Sequence, residues 1–242
     1  MNRDNQILLV THWLHSLKND HIFSGNWSRE AIAKGENILQ NYWLEDDEYN
    51  SKWLSLEREF FVENTMPPDY VFKKDVRVFG IDLTGLPFFE EEYSFFQKFL
   101  KAANEKNFVI IENASYNSTN INNPRRVQDK EREPRLKFKF PADISFEELQ
   151  SGGIVSDIII NGEYSKDYYI FGESALWGKY AATLNYDTYF WGYDESISQQ
   201  MAIYQSAFKK EINELTEKVK TGIQKHYGFY YGLKDYFPNI LK

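Results

Sequence analysis

Between Tyr168 and Tyr193 the chain gathers ten aromatic side chains, Tyr168, Tyr169, Phe171, Trp177, Tyr180, Tyr186, Tyr189, Phe190, Trp191 and Tyr193, around Gly172, Gly178 and Gly192. No other stretch constrains the fold as strongly. Tyr and Trp offer a large contact area at small side-chain entropy cost, and each carries a polar tip. Glycine among them lets a second backbone or ring come close. Two readings follow. The rings alternate across strands and form core, or they present a recognition surface, since their number exceeds what alternating strands need. On the second reading Trp177, Tyr180, Tyr189 and Trp191 are the binding aromatics and Glu173 and Asp187 their polar partners. Lys179 and Asp194 complete the rim.

Composition bounds what such a segment can belong to. With 242 residues, 42% of them hydrophobic, the chain is long enough to bury a sizeable core. A mean hydropathy of -0.59 with 26% charged residues reads as a soluble globular protein. No apolar run approaches the roughly 18–20 residues that span a bilayer. The patch Ile7–Val10 soon meets His12, His15 and Lys18, so a signal peptide is not expected and the reading is cytoplasmic, with no membrane partner. The chain has no cysteine, which excludes disulfides, thiol nucleophiles, zinc ribbons and iron–sulfur clusters. A net charge of -8 disfavours nucleic acid, whose affinity comes mostly from Lys and Arg on phosphates, and suits a basic protein partner.

The patterning predicts one α+β domain over residues 1–242: a helical N-terminal section, 1–66, against a mixed α/β body, 67–242, with a mixed sheet and a long C-terminal helix. Ile7, Leu8, Trp13, Leu14 and Leu17 make a loose helical stripe. Ser28 is the expected N-cap of a second helix. The acidic run Glu45–Glu48 either breaks that helix or opens a third, through Trp53, Phe60 and Phe61. Pro67-Pro68 closes the section. Val76–Ile81, then Glu90–Ala103 at helical spacing, then Asn107–Glu112 read as strand, helix, strand, a βαβ-like unit. Residues 113–135 are polar and Asn-rich, a long loop. Arg135 to Phe140 alternates strictly, giving one apolar and one basic face. Ser145 and Glu148 have capping-box spacing. Ile158–Ile160 and Tyr168–Phe171 flank Asn161-Gly162 as a hairpin would. Ser196 to about Thr221 is the longest helix signal, followed by an aromatic tail.

Reaction chemistry finds little support. His12 and His15, at i and i+3, lack the glutamate of an H-E-x-x-H motif, and no metal or cofactor is expected. Glu90-Glu91-Glu92 suits a helix start, where negative charge complements the dipole. Gly172-Glu-Ser-Ala-Leu176 lacks the second glycine of a hydrolase nucleophile elbow. No phosphate or dinucleotide motif is present, so no catalytic residue is assigned. An enzyme without short motifs, hydrolase-like and using Glu173, Asp187 or His226, is the alternative. A further alternative is an RNA-associated protein using the basic segment 125–139, with Arg125, Arg126 and Lys137 at its centre.

The stretch Tyr169-Ile-Phe-Gly-Glu-Ser-Ala-Leu-Trp-Gly-Lys-Tyr-Ala-Ala182 resembles a phrase in small bacterial immunity-type proteins of the SMI1/KNR4-like group, where a strand ends in a Phe-Gly turn and continues through glycine and aromatic residues. The resemblance implies a non-enzymatic protein that neutralises a toxin by binding it.

Overall fold

The computed structural model describes residues 3–17, 28–63, 65, 70–73, 75–81, 87–113, 135–160, 167–182 and 188–221. Pro67, Pro68, Arg125, Arg126, Asp187 and His226 lie outside these. Helix α1 is Arg3–Leu17 and α2 is Arg29–Tyr42, opened as expected by Ser28, whose Oγ accepts from Ala31 N at 3.1 Å. The acidic run opens a third helix: α3 (Asp46–Glu48), a π-helical turn (Tyr49–Trp53) and α4 (Leu54–Phe60) run on in sequence. Next come α5 (Glu90–Ala102), α6 (Phe146–Gln150), capped by Ser145, α7 (Ile154–Ile159), α8 (Ser198–Ala207) and α9 (Lys209–Thr221).

Six strands form one sheet: β1 (Arg77–Ile81), β2 (Asn107–Glu112), β3 (Lys137–Pro141), β4 (Tyr168–Gly172), β5 (Trp177–Ala182) and β6 (Thr188–Tyr193), in the order β1-β6-β5-β4-β2-β3. The protein is α+β. Every strand pairing is antiparallel, where a mixed sheet was expected. β1 and β2 do run parallel to each other, but β6, β5 and β4 lie between them. The expected strand–helix–strand unit is therefore a crossing of the whole central sheet, with α5 as its bridge. Since directions alternate, β1, β5 and β2 end, and β6, β4 and β3 begin, at one end of the sheet.

Both faces of the central strands are covered, and this accounts for the density of rings. Tyr168, Trp177, Tyr189, Trp191 and Tyr193 face one layer, with Phe96 and Phe99 of α5 and Tyr204 of α8. Tyr169, Phe171, Tyr180 and Phe190 face the other, under Leu44, Tyr49, Trp53, Phe60, Phe61 and Phe72. Burying each such side chain contributes about 1.5–3 kcal/mol. Gly178 and Gly192 form a flat floor for the second layer. Gly178 and Gly192 are register partners on β5 and β6. A Cβ on Gly178 would stand 2.5 Å from Phe61 Cζ, and one on Gly192 2.8 Å from Phe72 Cδ1. The close approach that glycine permits is taken by the chain's own Phe60, Phe61 and Phe72.

Two further expectations are corrected. Ile158 and Ile159 belong to helix α7, with Ile160 as its C-cap, and not to a hairpin strand. A short apolar run does not distinguish a buried helix from a strand. Here α7 packs against α2, where a Cβ on Gly35 would meet Ile154 Cγ2 at 2.7 Å. The C-terminal helix breaks at Phe208 (φ -112°, ψ 26°). The break lets α8 bury Met201 and Tyr204 in the first layer while α9 buries Leu215 and Val219 in the second. The N-terminal section likewise feeds both layers, Ile7, Val10 and Ile38 one and Tyr49 and Trp53 the other.

Candidate functional site

Position 179 on β5 faces the first layer, beneath the first turn of α5, and the sequence places a lysine there. Its ammonium is fully buried, as is the carboxylate of Glu92. Lys179 Nζ donates to Glu92 Oε1 at 2.6 Å and to the Pro87 carbonyl at 2.5 Å. Aromatic rings enclose it: Tyr189 at 3.8 Å, Phe88 at 4.8 Å and Trp191 at 5.7 Å from the ring centres. Tyr204 OH donates to the same Glu92 oxygen, and the Tyr189 and Tyr204 hydroxyls lie 3.0 Å apart. Glu92 occupies the third position of α5, from which a glutamate reaches back to the N-cap backbone of Phe89.

Burial sets the electrostatics of this centre. It pushes Lys179 down to about 8, against the opposing pull of Glu92. It also raises Glu92, although Lys179, Tyr204 and the Phe89 backbone act the other way. Burial beside Glu92 holds the hydroxyls of Tyr189 and Tyr204 well above the ordinary tyrosine range. Tyr189, Tyr204, Glu92 and Lys179 thus make a hydrogen-bonded chain able to hold or pass a proton. Strongly shifted groups of this kind mark functional sites as well as structural ion pairs. Zero exposure of both charged groups places the centre on the structural side.

A second charged assembly ties the basic strand to the acidic run. Arg135 NH2 donates to Glu57 Oε1 at 2.9 Å, NH1 to Tyr49 OH at 2.6 Å and Nε to the Glu112 carbonyl at 2.8 Å. Lys137 pairs with Asp46, and Lys139 with both oxygens of Glu48 at 2.7 and 2.8 Å. Burial lifts Glu48, but Lys139 and the Trp53 indole outweigh it and hold the carboxyl below its ordinary range. Asp46 and Glu48 of the acidic run are the counter-charge of β3. Of the residues weighed for RNA binding, Lys137 is 5% exposed and committed to this assembly.

The residues expected to bind a partner are placed as follows. Trp177, Tyr180, Tyr189 and Trp191 are each 0% exposed, so the proposed aromatic surface is core. Trp177 Nε1 donates to Glu105 Oε1 at 2.8 Å, and Tyr180 OH donates to Asp167 Oδ2 at 2.8 Å while accepting from Asn113 Nδ2 at 2.9 Å. Glu173, in the β4–β5 turn, accepts from Asn107 Nδ2 at 2.8 Å and pairs with Lys52 at 3.0 Å. Burial acts to raise Glu173, yet these two partners together hold its carboxyl below the usual range. Asp187 lies outside the described residues. Ser174, the rejected nucleophile, donates to Glu105. Among the described residues no group of three His, Asp or Glu is placed to hold a metal ion. His12 is exposed on α1.

Sequence reading missed the partnership of Lys179 with Glu92, though both residues carried a signal. Lys179 interrupts the apolar face Trp177, Ala181, and Glu92 shares the inward face of α5 with Phe96 and Phe99 at i+4 and i+7. A charge on each of two buried faces implies a pair. Comparison of the chain with protein-family models, curated proteins and solved structures finds no match.

Proposed function

We propose that the chain works by binding a basic protein partner, as the immunity-type proteins that its residues 169–182 resemble do. The observation that carries this reading is the disposition of charge. Arg135, Lys137, Lys139 and Lys179 are paired one for one with Glu57, Asp46, Glu48 and Glu92. These internal pairs cancel, so the excess of eight acidic groups is left to the remaining residues, where it can steer a cationic partner. The exposed Leu8 (52%) and Leu9 (44%) of α1 add apolar surface beside Asp4. The described aromatic segment serves this function indirectly, as the rigid core on which that surface is carried.

A hydrolase-like enzyme is the second reading, favoured by the raised carboxyl of Glu92 beside Lys179. The burial of both groups argues against it, as does Glu173, whose lowered value suits a salt-bridge acceptor better than a general acid. The test is affinity capture from cells of the source at low ionic strength, followed by titration of the purified partner. The reading predicts a basic protein bound one to one, with affinity that falls as salt rises and weakens in Leu8→Asp, Leu9→Asp. An empty capture, or a partner whose binding ignores both salt and that variant, contradicts it.

A further inference from the structure

Helix α8 carries no charged residue from Ser198 to Ala207, in a chain of which 26% is charged. Its inner face is committed to the core, where Met201 and Tyr204 are fully buried. Its outer face is small and uncharged: Gln199, Ala202, Ile203, Ser206 and Ala207 are exposed, and Ile203 keeps 38% of its surface in solvent. Charge returns at the two ends with opposite signs. Glu195, in the 3₁₀ turn Glu195–Ile197 that leads into α8, stands exposed at the N-terminal end, and exposed Lys209 and Lys210 follow the Phe208 break at the other. Glu195, Gln199, Ala202, Ser206 and Lys209 recur at alternating spacings of four and three, the period of a helix–helix seam.

We infer that this face binds its counterpart on a second copy of the chain, with the two α8 helices antiparallel. Setting Glu195 against Lys210 of the second copy places Gln199 opposite Ser206 and the two-fold axis between Ala202 and Ile203, in the middle of the uncharged face. The match is self-complementary, as a closed two-fold interface requires. Acid meets base at both rims, small and apolar side chains meet at the centre, and the helix dipoles oppose. A parallel pair would instead set Glu195 on Glu195 and Lys210 on Lys210. Each rim charge also meets a neighbour in its own copy, Glu195 pairing with Arg77 and Lys210 lying 3.8 Å from Glu214. Those pairs are solvent-exposed and of small worth, so they do not compete strongly with a contact across the axis. The inference does not rest on the basic-partner reading above.

One short helix from each copy makes an interface at or below the ~1,200 Å² of transient complexes, so the dimer is weak. Sedimentation equilibrium of the full chain is expected to give a mass that rises from 28.7 kDa toward twice that value between about 10 µM and about 1 mM. Ile203→Asp, at an exposed position that leaves the core untouched, sets like charges beside the axis and is expected to stay monomeric across that range. Glu195→Lys or Lys210→Glu alone is expected to weaken association about three- to tenfold, and the double variant, which restores acid opposite base, to recover it. Circular dichroism confirms that each variant is folded. A mass that stays at 28.7 kDa at the highest concentration would overturn the inference. So would association that survives in Ile203→Asp, or charge reversals whose effects simply add in the double variant.

Discussion

Lys179→Met isolates the energetics of the buried pair. The substitution nearly conserves volume and removes the ammonium, leaving the Glu92 carboxylate with Tyr204 and the Phe89 backbone as its donors in a fully buried place. Stranding one charge of a buried pair costs about 3–5 kcal/mol, or about two to four decades in the folding equilibrium at 1.36 kcal/mol per decade. Glu92→Gln strands the ammonium instead and is expected to cost a similar amount. The double variant Lys179→Met, Glu92→Gln removes both charges and keeps an acceptor for Tyr204, so it is expected to lie well above the sum of the singles, with a coupling energy of about 2–3 kcal/mol. Urea unfolding followed by tryptophan fluorescence measures all four. The Lys179→Met penalty also depends on pH with a definite sign. Glu92 has a folded value raised above its unfolded one, so its contribution is intact below the unfolded value and lost as pH rises through the folded value. The single variant is therefore closest to wild type at low pH, and its penalty grows as pH rises. Additive singles, or a Lys179→Met cost below about 1 kcal/mol with no pH dependence, would refute the reasoning.

Three other consequences are open to measurement. Lys179 itself is depressed to about 8, so in wild type, but not in Lys179→Met, the urea midpoint should climb as pH rises from 8 toward 10, where the unfolded chain still holds the proton; coincident profiles would remove Lys179 from that role. Gly178→Ala places a methyl 2.5 Å from Phe61 Cζ and 2.7 Å from Phe60 Cδ1, and is expected to destabilise by about 1–3 kcal/mol in thermal unfolding, with a neutral result showing that residues 60–61 do not sit on that floor. Ala175, at φ 53°, is a left-handed residue in the β4–β5 turn, and Ala175→Gly should stabilise by about 0.5–1 kcal/mol, whereas a loss of stability would place the turn elsewhere.

Local signals were legible where one short segment decides the outcome. Ser28 caps α2 and Ser145 caps α6 because a hydroxyl at that position satisfies a free backbone donor whatever surrounds it. Val76–Ile81 and Glu90–Ala103 were likewise readable from period, and Asn107–Glu112 from its nearly continuous apolar run. What stayed hidden was which faces meet. Ten aromatics looked too many for strands with one wet face, and they are not too many for strands buried on both. Much of the second covering layer comes from Leu44, Tyr49, Trp53, Phe60, Phe61 and Phe72, about a hundred positions or more earlier, and no local pattern announces that partnership. The same blindness split one ionic assembly into two unrelated features, an acidic run at 45–48 and a basic strand at 135–139. Phe208 shows the reverse case, a helix signal that continues through a break although the two halves bury their residues in different layers.

The account turns on the glycine-aromatic strands being the covered centre of the molecule and not its recognition surface. Native-state hydrogen exchange of the amides of β4, β5 and β6 measures this most directly. The account predicts exchange only through global unfolding, with protection equal to the full stability measured by urea. Exchange through a smaller opening that frees Gly178 and Gly192 while β2 stays protected would contradict it, because Phe60, Phe61 and Phe72 would then be a detachable cover over a surface able to bind something else.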